Sequence, residues 1–247
     1  MNFSEYLIIP DWPAPANVRA IQTTRQGGVS RAPYDSLNLG RHVGDSALAV
    51  EQNRMRLASL FPSEPVWLEQ VHGAGVADAD SAACLPQADA CIARRGVCVV
   101  MTADCLPILL CDKAGTVVGA AHAGWRGLAA GVIKATVLAM GAAPENMMAW
   151  LGPAISQSAF EVGAEVYAAF VNADSAAATA FTPSHLKGGS DKYQADIYAL
   201  AKRQLNALGI KEIYGGDRCT YRESELFFSY RRDGVTGRMG SFIWLAK

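Results

Sequence analysis

Excess charge of either sign is missing from this chain of 247 residues: 22 Lys and Arg stand against 23 Asp and Glu, a formal net charge of −1. Such a balance provides no electrostatic footprint for duplex nucleic acid or an anionic membrane surface, so neither is expected as a partner. No apolar run is long enough to span a bilayer. The N-terminal stretch has only Tyr6-Leu7-Ile8-Ile9, preceded by Glu5 and followed by Pro10 and Pro13, which does not make a secretory leader, and a cytoplasmic protein is expected. No two of the six cysteines are spaced C-x-x-C, which disfavours a structural zinc site of four thiolates; free thiols are expected rather than a disulfide framework. Cys84, Cys91, Cys98 and Cys105 recur every seventh residue, but Pro86 and Gly96 interrupt any helix through them, so the spacing is read as coincidence. Histidine is scarce, with only His42, His72, His122 and His185. Solenoid repeats and Gly-, Ser- or Pro-rich linkers are also lacking, so one compact domain over residues 1–247 is expected.

What is present is apolar patterning. The 51% of hydrophobic residues are enough for a sizeable core and exclude a disordered chain. Residues 66–72 read as a strand ending at Gly73, and residues 96–102 as a second, almost continuously apolar strand. Residues 106–111 read as a third strand, 112–115 as a turn, and 116–121 as a fourth strand running into His122. Helices are expected over 128–140, 164–172 and Ile197–Leu208, the last capped by Gly209. Late strands are expected over 227–231 and 241–245, and residues 173–189 read as a mobile surface excursion. Strands and helices mixed along the whole chain predict a layered α/β or α+β domain.

Two of the four histidines close strands that read as buried, each ahead of small residues: Gln70-Val71-His72-Gly73 and His122-Ala123-Gly124-Trp125-Arg126-Gly127. Glycines there let backbone or ligand come close to an imidazole. Thr102-Ala103-Asp104-Cys105-Leu106-Pro107 sets a thiol beside an acid and just before a proline that restrains the turn. Taken singly, each has an ordinary reading as a core histidine or a small buried thiol. Taken together, His72, Cys105 and His122 are donors suited to zinc, and three protein ligands leave a fourth position open, as in catalytic rather than structural sites.

The Q-V-H-G, T-A-D-C-L-P and H-A-G-W-R-G segments resemble those of the bacterial multicopper polyphenol oxidase, or laccase-like, family, also called the YfiH or purine nucleoside phosphorylase family. The likeness extends over nearly the whole chain through Thr24-Arg25-Gln26-Gly27-Gly28-Val29-Ser30, Ser36-Leu37-Asn38-Leu39-Gly40, Gly152-Pro153-Ala154-Ile155 and Phe228-Ser229-Tyr230-Arg231-Arg232-Asp233-Gly234, with no departure at the motif positions. It implies a mixed α/β sandwich with two sheets flanked by helices and a metal bound by His72, Cys105 and His122. It also implies phosphorolysis of purine nucleosides such as adenosine, inosine and methylthioadenosine, with adenosine deamination as a second activity.

Four histidines cannot furnish the roughly ten imidazoles of a laccase-type multicopper centre. A single copper on two His and one Cys, serving a polyphenol oxidase, stays open; scarce cytosolic copper makes zinc the expected cofactor. Deamination would use the metal to activate water for attack at C6 of adenine, with a carboxylate moving protons. Asp104 and Glu69 are the candidates, and Glu69 would point away from His72 in a regular strand, leaving Asp104 preferred; a turn-capping role for Asp104 is the alternative. Phosphorolysis needs an anion pocket. Arg25, ahead of Gly27-Gly28, Arg126, four residues after His122, and Arg231 with Arg232 are candidates, with surface ion pairs as the alternative. Asn38 is a candidate for orienting substrate or for serving its own turn. Trp67, Trp125, Phe228 and Tyr230 could stack on a purine or fill the core. The expected partners are therefore a purine nucleoside and phosphate. The chemical rival is a metal-free hydrolase with Cys105 as nucleophile beside His122 and Asp104, or a zinc amidase, acting on an amide of a peptidoglycan precursor.

Overall fold

The computed structural model describes residues 3–82, 84–184 and 191–246. In chain order its strands are β1 (Leu7–Ile8), β2 (Val18–Thr23), β3 (Val76–Asp78), β4 (Ala90–Ala93), β5 (Val97–Thr102), β6 (Leu106–Asp112), β7 (Val118–Ala123), β8 (Met147–Leu151), β9 (Glu161–Gly163), β10 (Phe181–Pro183), β11 (Lys192–Ala195), β12 (Glu212–Gly215) and β13 (Met239–Leu245). The α-helices are α1 (Ala47–Ala58), α2 (Trp125–Ala130), α3 (Val132–Met140), α4 (Ala164–Val171), α5 (Ile197–Leu208) and α6 (Tyr230–Asp233).

Every residue of β4, β5, β6, β7 and β8 is buried, which is why these strands are written as continuous apolar runs rather than alternating ones. They belong to two large sheets, a six-stranded one ordered β12-β8-β6-β7-β4-β3 and a four-stranded one ordered β1-β2-β13-β5. Successive side chains of β6 alternate between two cores. Leu106, Ile108 and Leu110 pack with Val132 and Ile133 of α3 and Leu200 and Leu205 of α5, whereas Leu109 and Cys111 pack with Val100 of β5 and Ile243 of β13 in the other sheet. Removing one of these wedges, as in Leu109→Ala, would cost about 2–5 kcal/mol through lost burial and the cavity left behind. On the other face of the four-stranded sheet, Phe242 and Trp244 of β13 pack with Leu37, Leu39 and, from α1, Leu57. The expected sandwich of two sheets flanked by helices is present, and β10-β11-β9 add a small third sheet. No helix among the described residues is long and apolar enough to cross a membrane.

Four segments differ from the sequence reading. Residues 66–72 are not a strand: only isolated bridges, Val66 with Cys98 and Glu69 with Gln87, occur there. The Gln70 side chain takes the place of a ladder partner, donating to the Met101 carbonyl at 2.9 Å and accepting from the Met101 amide at 2.7 Å. The helix expected over 128–140 is two helices broken at Gly131, which adopts φ 87°. Residues 227–231 are no strand either. Phe227 and Phe228 are fully buried, and the Arg232 guanidinium occupies the Phe227 carbonyl while Ser229 caps α6. Finally, residues 175–180 form a 3-10 helix that leads into β10, so most of the expected surface excursion is ordered; residues 185–190, with His185, lie outside the described residues.

Candidate active site

The antiparallel pairing of β6 with β7 sets Leu106 opposite Ala123 and Pro107 opposite His122. That register places Cys105, one residue before β6, against Gly124, one residue after Ala123. A Cβ on Gly124 would lie 2.8 Å from the Cys105 sulfur and 3.2 Å from His72 Cδ2, so only glycine leaves room for the thiol and the imidazole together. The third side chain arrives from the irregular segment that crosses the end of β5, with His72 at φ 61°. Asp104, beside Cys105, also has positive φ, at 91°. Left-handed backbone costs an ordinary residue about 1–2 kcal/mol, so the fold holds both residues there against their own preference.

The donor atoms of His72, Cys105 and His122 all lie within 4.8 Å of one another, and the Cys105 sulfur is 3.8 Å from His72 Nε2. Ordinary zinc–sulfur and zinc–nitrogen bonds at tetrahedral angles separate S and N by about 3.5 Å. One thiolate and two imidazoles in this spacing fit a single zinc, and equally a single copper, but not a multicopper centre. The three differ in exposure: His122 is buried, Cys105 half-buried and His72 exposed.

Behind His122 sits Asp89, fully buried immediately before β4. Its Oδ1 is 2.8 Å from His122 Nδ1, which turns the other ring nitrogen towards the thiol. Burial by itself raises the Asp89 carboxyl, but the bond from His122 and those from the Gly73 and Val71 amides outweigh it and hold the group below the ordinary carboxylate value. Burial also works against ionising Cys105. The His122 charge and hydrogen bonds from both histidines overcome it and pull the thiol down to about 6. His122 responds in kind: burial lowers its pKa, yet the Cys105 charge and the Asp89 bond push it up to about 9. Between these values the shifts of the metal-free pair favour a thiolate facing an imidazolium.

Cys105 and Asp104 line a cavity of about 160 Å³ together with Trp125, Phe160, Tyr230 and Arg231. Of the expected anion binders, Arg231 alone belongs to this cavity. One of its nitrogens donates to the Ala159 carbonyl at 3.2 Å, and its guanidinium carbon lies 5.6 Å from the centre of the Phe160 ring. Arg25 is engaged elsewhere, bonding the Asp35 and Ser224 carbonyls and pairing with the Asp35 carboxylate. Arg126 is exposed on the first turn of α2, its guanidinium 4.4 Å from the Trp125 ring centre. Arg232 is taken up by Asp233 and by the carbonyls of Thr220, Tyr221 and Phe227. Asn38 is fully buried and serves the chain, bonding Gly40, Asp45 and the Arg238 amide. Each oxygen of Asp104 accepts one bond, from Thr220 Oγ1 at 2.6 Å and from the Arg231 amide at 2.7 Å. Glu69 is exposed. Of the aromatics, Trp125 and Tyr230 line the cavity, Phe228 is core, and Trp67 stacks under Arg54.

Two residues escaped the sequence reading. Asp89 had one visible signal, an acid set between Ala88 and Ala90 at the start of an apolar run, where a charge needs partners. Arg238 had none. Burial lowers its pKa, while the charges of Cys105 and Asp104 act to raise it, and its Nη1 donates to the Thr236 and Gly237 carbonyls.

Residues 19–246 match the family described as multi-copper polyphenol oxidoreductase laccase. The chain is 56% identical over 244 residues to purine nucleoside phosphorylase YfiH of Escherichia coli, covering 97% of this chain and 98% of that protein. It is 53% identical to a purine nucleoside phosphorylase of Pseudomonas aeruginosa, over 96% of this chain and 98% of the other. Among solved structures, a Neisseria meningitidis protein superposes with a TM-score of 0.94 at 51% identity, covering 98% of this chain and 100% of that one.

Proposed function

The chain belongs to the multi-copper polyphenol oxidoreductase laccase family, and on that premise we propose that residues 1–247 form one metal-dependent purine nucleoside phosphorylase domain with adenosine deaminase as a second activity. The observation that carries this reading is the convergence of His72, Cys105 and His122, of which Cys105 also lines a cavity walled by Trp125, Tyr230 and Arg231. The names of the relatives supply the reaction class.

His72, His122 and Cys105 would hold the ion, zinc in preference to copper, and a bound zinc would supply Lewis-acid chemistry at the position that three protein ligands leave free. The residues of the chain do the rest. Trp125 and Tyr230 offer aromatic surfaces to a purine at the cavity wall. Arg231 presents the donors not used by Ala159 to phosphate, and Arg238 adds a second cation whose charge is felt by Cys105 and Asp104. Asp104 fixes the start of α6 through the Arg231 amide, so it positions the anion binder instead of carrying a proton. Phosphate then replaces the base at C1′, and the electron pair of the C1′–N9 bond leaves with the purine.

The test is phosphate-dependent release of hypoxanthine from inosine and adenine from adenosine, with ammonia followed in parallel and metal content measured on the same samples. The reading expects about one zinc per chain. It expects Cys105→Ala to lose metal and base release together, and Arg231→Met to raise the KM for phosphate about 10-fold or more, the worth of a charge-assisted bond. Base release that needs no phosphate, or none from any nucleoside, sinks it.

One observation favours a second reading. Cys105, His122 and Asp89 stand in the order thiol, imidazole, carboxylate, with Asp89 in the place expected of Asp104. That set suits a cysteine hydrolase acting on an amide such as those of peptidoglycan precursors. Its activity would survive chelators, opposite to the metal reading.

A further inference from the structure

Asp89 makes four hydrogen bonds with its two carboxylate oxygens, and all four lead to the metal-ligand candidates or their neighbours. Oδ1 accepts from His122 Nδ1 at 2.8 Å and from the His72 backbone amide at 2.8 Å. Oδ2 accepts from the amides of Val71 at 3.1 Å and Gly73 at 2.6 Å. One fully buried side chain thus sets the ring orientation of one histidine and the backbone of the other. Nothing else of regular structure holds residues 71–73, since they lie outside every strand and helix.

We infer that Asp89 is a positioning residue that assembles the two histidines before any metal arrives. Resting on the metal-site reading above, the inference adds why an exposed imidazole on a left-handed turn faces the same point as a buried one on a strand. The carboxylate has enough lone pairs for all four donors. An asparagine has one oxygen and a donor NH₂. If its oxygen faces His122, the NH₂ meets the Val71 and Gly73 amides, donor against donor. If it is turned over, His122 must accept at Nδ1, its proton moves to Nε2, and the nitrogen that faces Cys105 can no longer ligate.

The experiment is zinc affinity by competition with a chromophoric chelator, and the visible spectrum of the cobalt-loaded protein, for wild type and Asp89→Asn, with circular dichroism on the metal-free forms. Loss of a carboxylate behind a metal-bound histidine weakens metal binding about 10- to 100-fold, and that fall, with an altered cobalt spectrum and unchanged secondary structure, is expected. Equal affinity and an identical spectrum overturn the inference. Should Asp89→Asn fail to fold, amide hydrogen exchange on the metal-free wild type decides: protected amides at Val71, His72 and Gly73 support preassembly, and exchange at the rate of open chain overturns it. If the wild type binds no metal, the reading of the site fails, while the exchange measurement still tells whether Asp89 builds the turn.

Discussion

The two histidines of the site are held by opposite means. His122 lies in the fully buried strand β7, where pairing with Pro107 of β6 and a bond from its amide to the Asp89 carbonyl fix its backbone and the Asp89 carboxylate fixes its ring. His72 is exposed, belongs to no strand, and sits at φ 61° on a segment tied down by side chains, those of Gln70 and Asp89. A strand positions a ligand as a by-product of folding the core. A strained turn positions one at a cost to stability, and persists only where the surroundings over-determine it.

That contrast can be broken at its strong end first. His122→Ala in the metal-free protein should cost about 3–5 kcal/mol in urea denaturation, because it leaves Asp89 buried without its imidazole partner. A loss below about 1 kcal/mol would mean that the three amides suffice for the carboxylate. Next, Gly124→Ala pushes a methyl into both Cys105 and His72 and should cost about 1–3 kcal/mol by overpacking, with metal binding lost more completely than stability. His72→Gly should have the opposite sign: relief of the left-handed backbone raises the stability of the metal-free protein by up to about 1 kcal/mol while metal binding disappears. The smallest effect is on reactivity. Thiolate is the nucleophile that displaces iodide, so in metal-free protein the rate of Cys105 modification by iodoacetamide should rise through pH about 6 and level off above it. His122 contributes most to that depression. The midpoint should therefore rise in His72→Gly and rise further, towards or above the ordinary thiol value of about 8.5, in His122→Ala.

The same contrast marks where the sequence was readable. Strands β5, β6 and β7 show as apolar runs because burial on both faces demands them, and Gly209 shows as the cap of α5 because only glycine takes that φ, 104°, without cost. Residues 66–72 and 227–231 have strand composition, but their backbone groups are satisfied by Gln70 and Arg232 from outside any ladder, and no local pattern records that. Cys105 and His122 were legible as strand-end donors. Arg25, Arg126, Arg231 and Arg232 looked alike as cations near motifs, and only the packing of α6 against Asp104 brings Arg231 to the cavity while Asp35 and Asp233 absorb Arg25 and Arg232.

By itself the sequence determined the layered α/β class, the donor types and the scarcity of histidine that excludes a multicopper centre, since these follow from composition and periodicity. Only the tertiary structure decided which carboxylate stands behind the site and which arginine faces it. Asp89 and His122 are 33 residues apart, and Asp104 and Arg231 are 127 apart. Contacts over such separations depend on strand register and on the satisfaction of buried polar groups, which are properties of the folded whole.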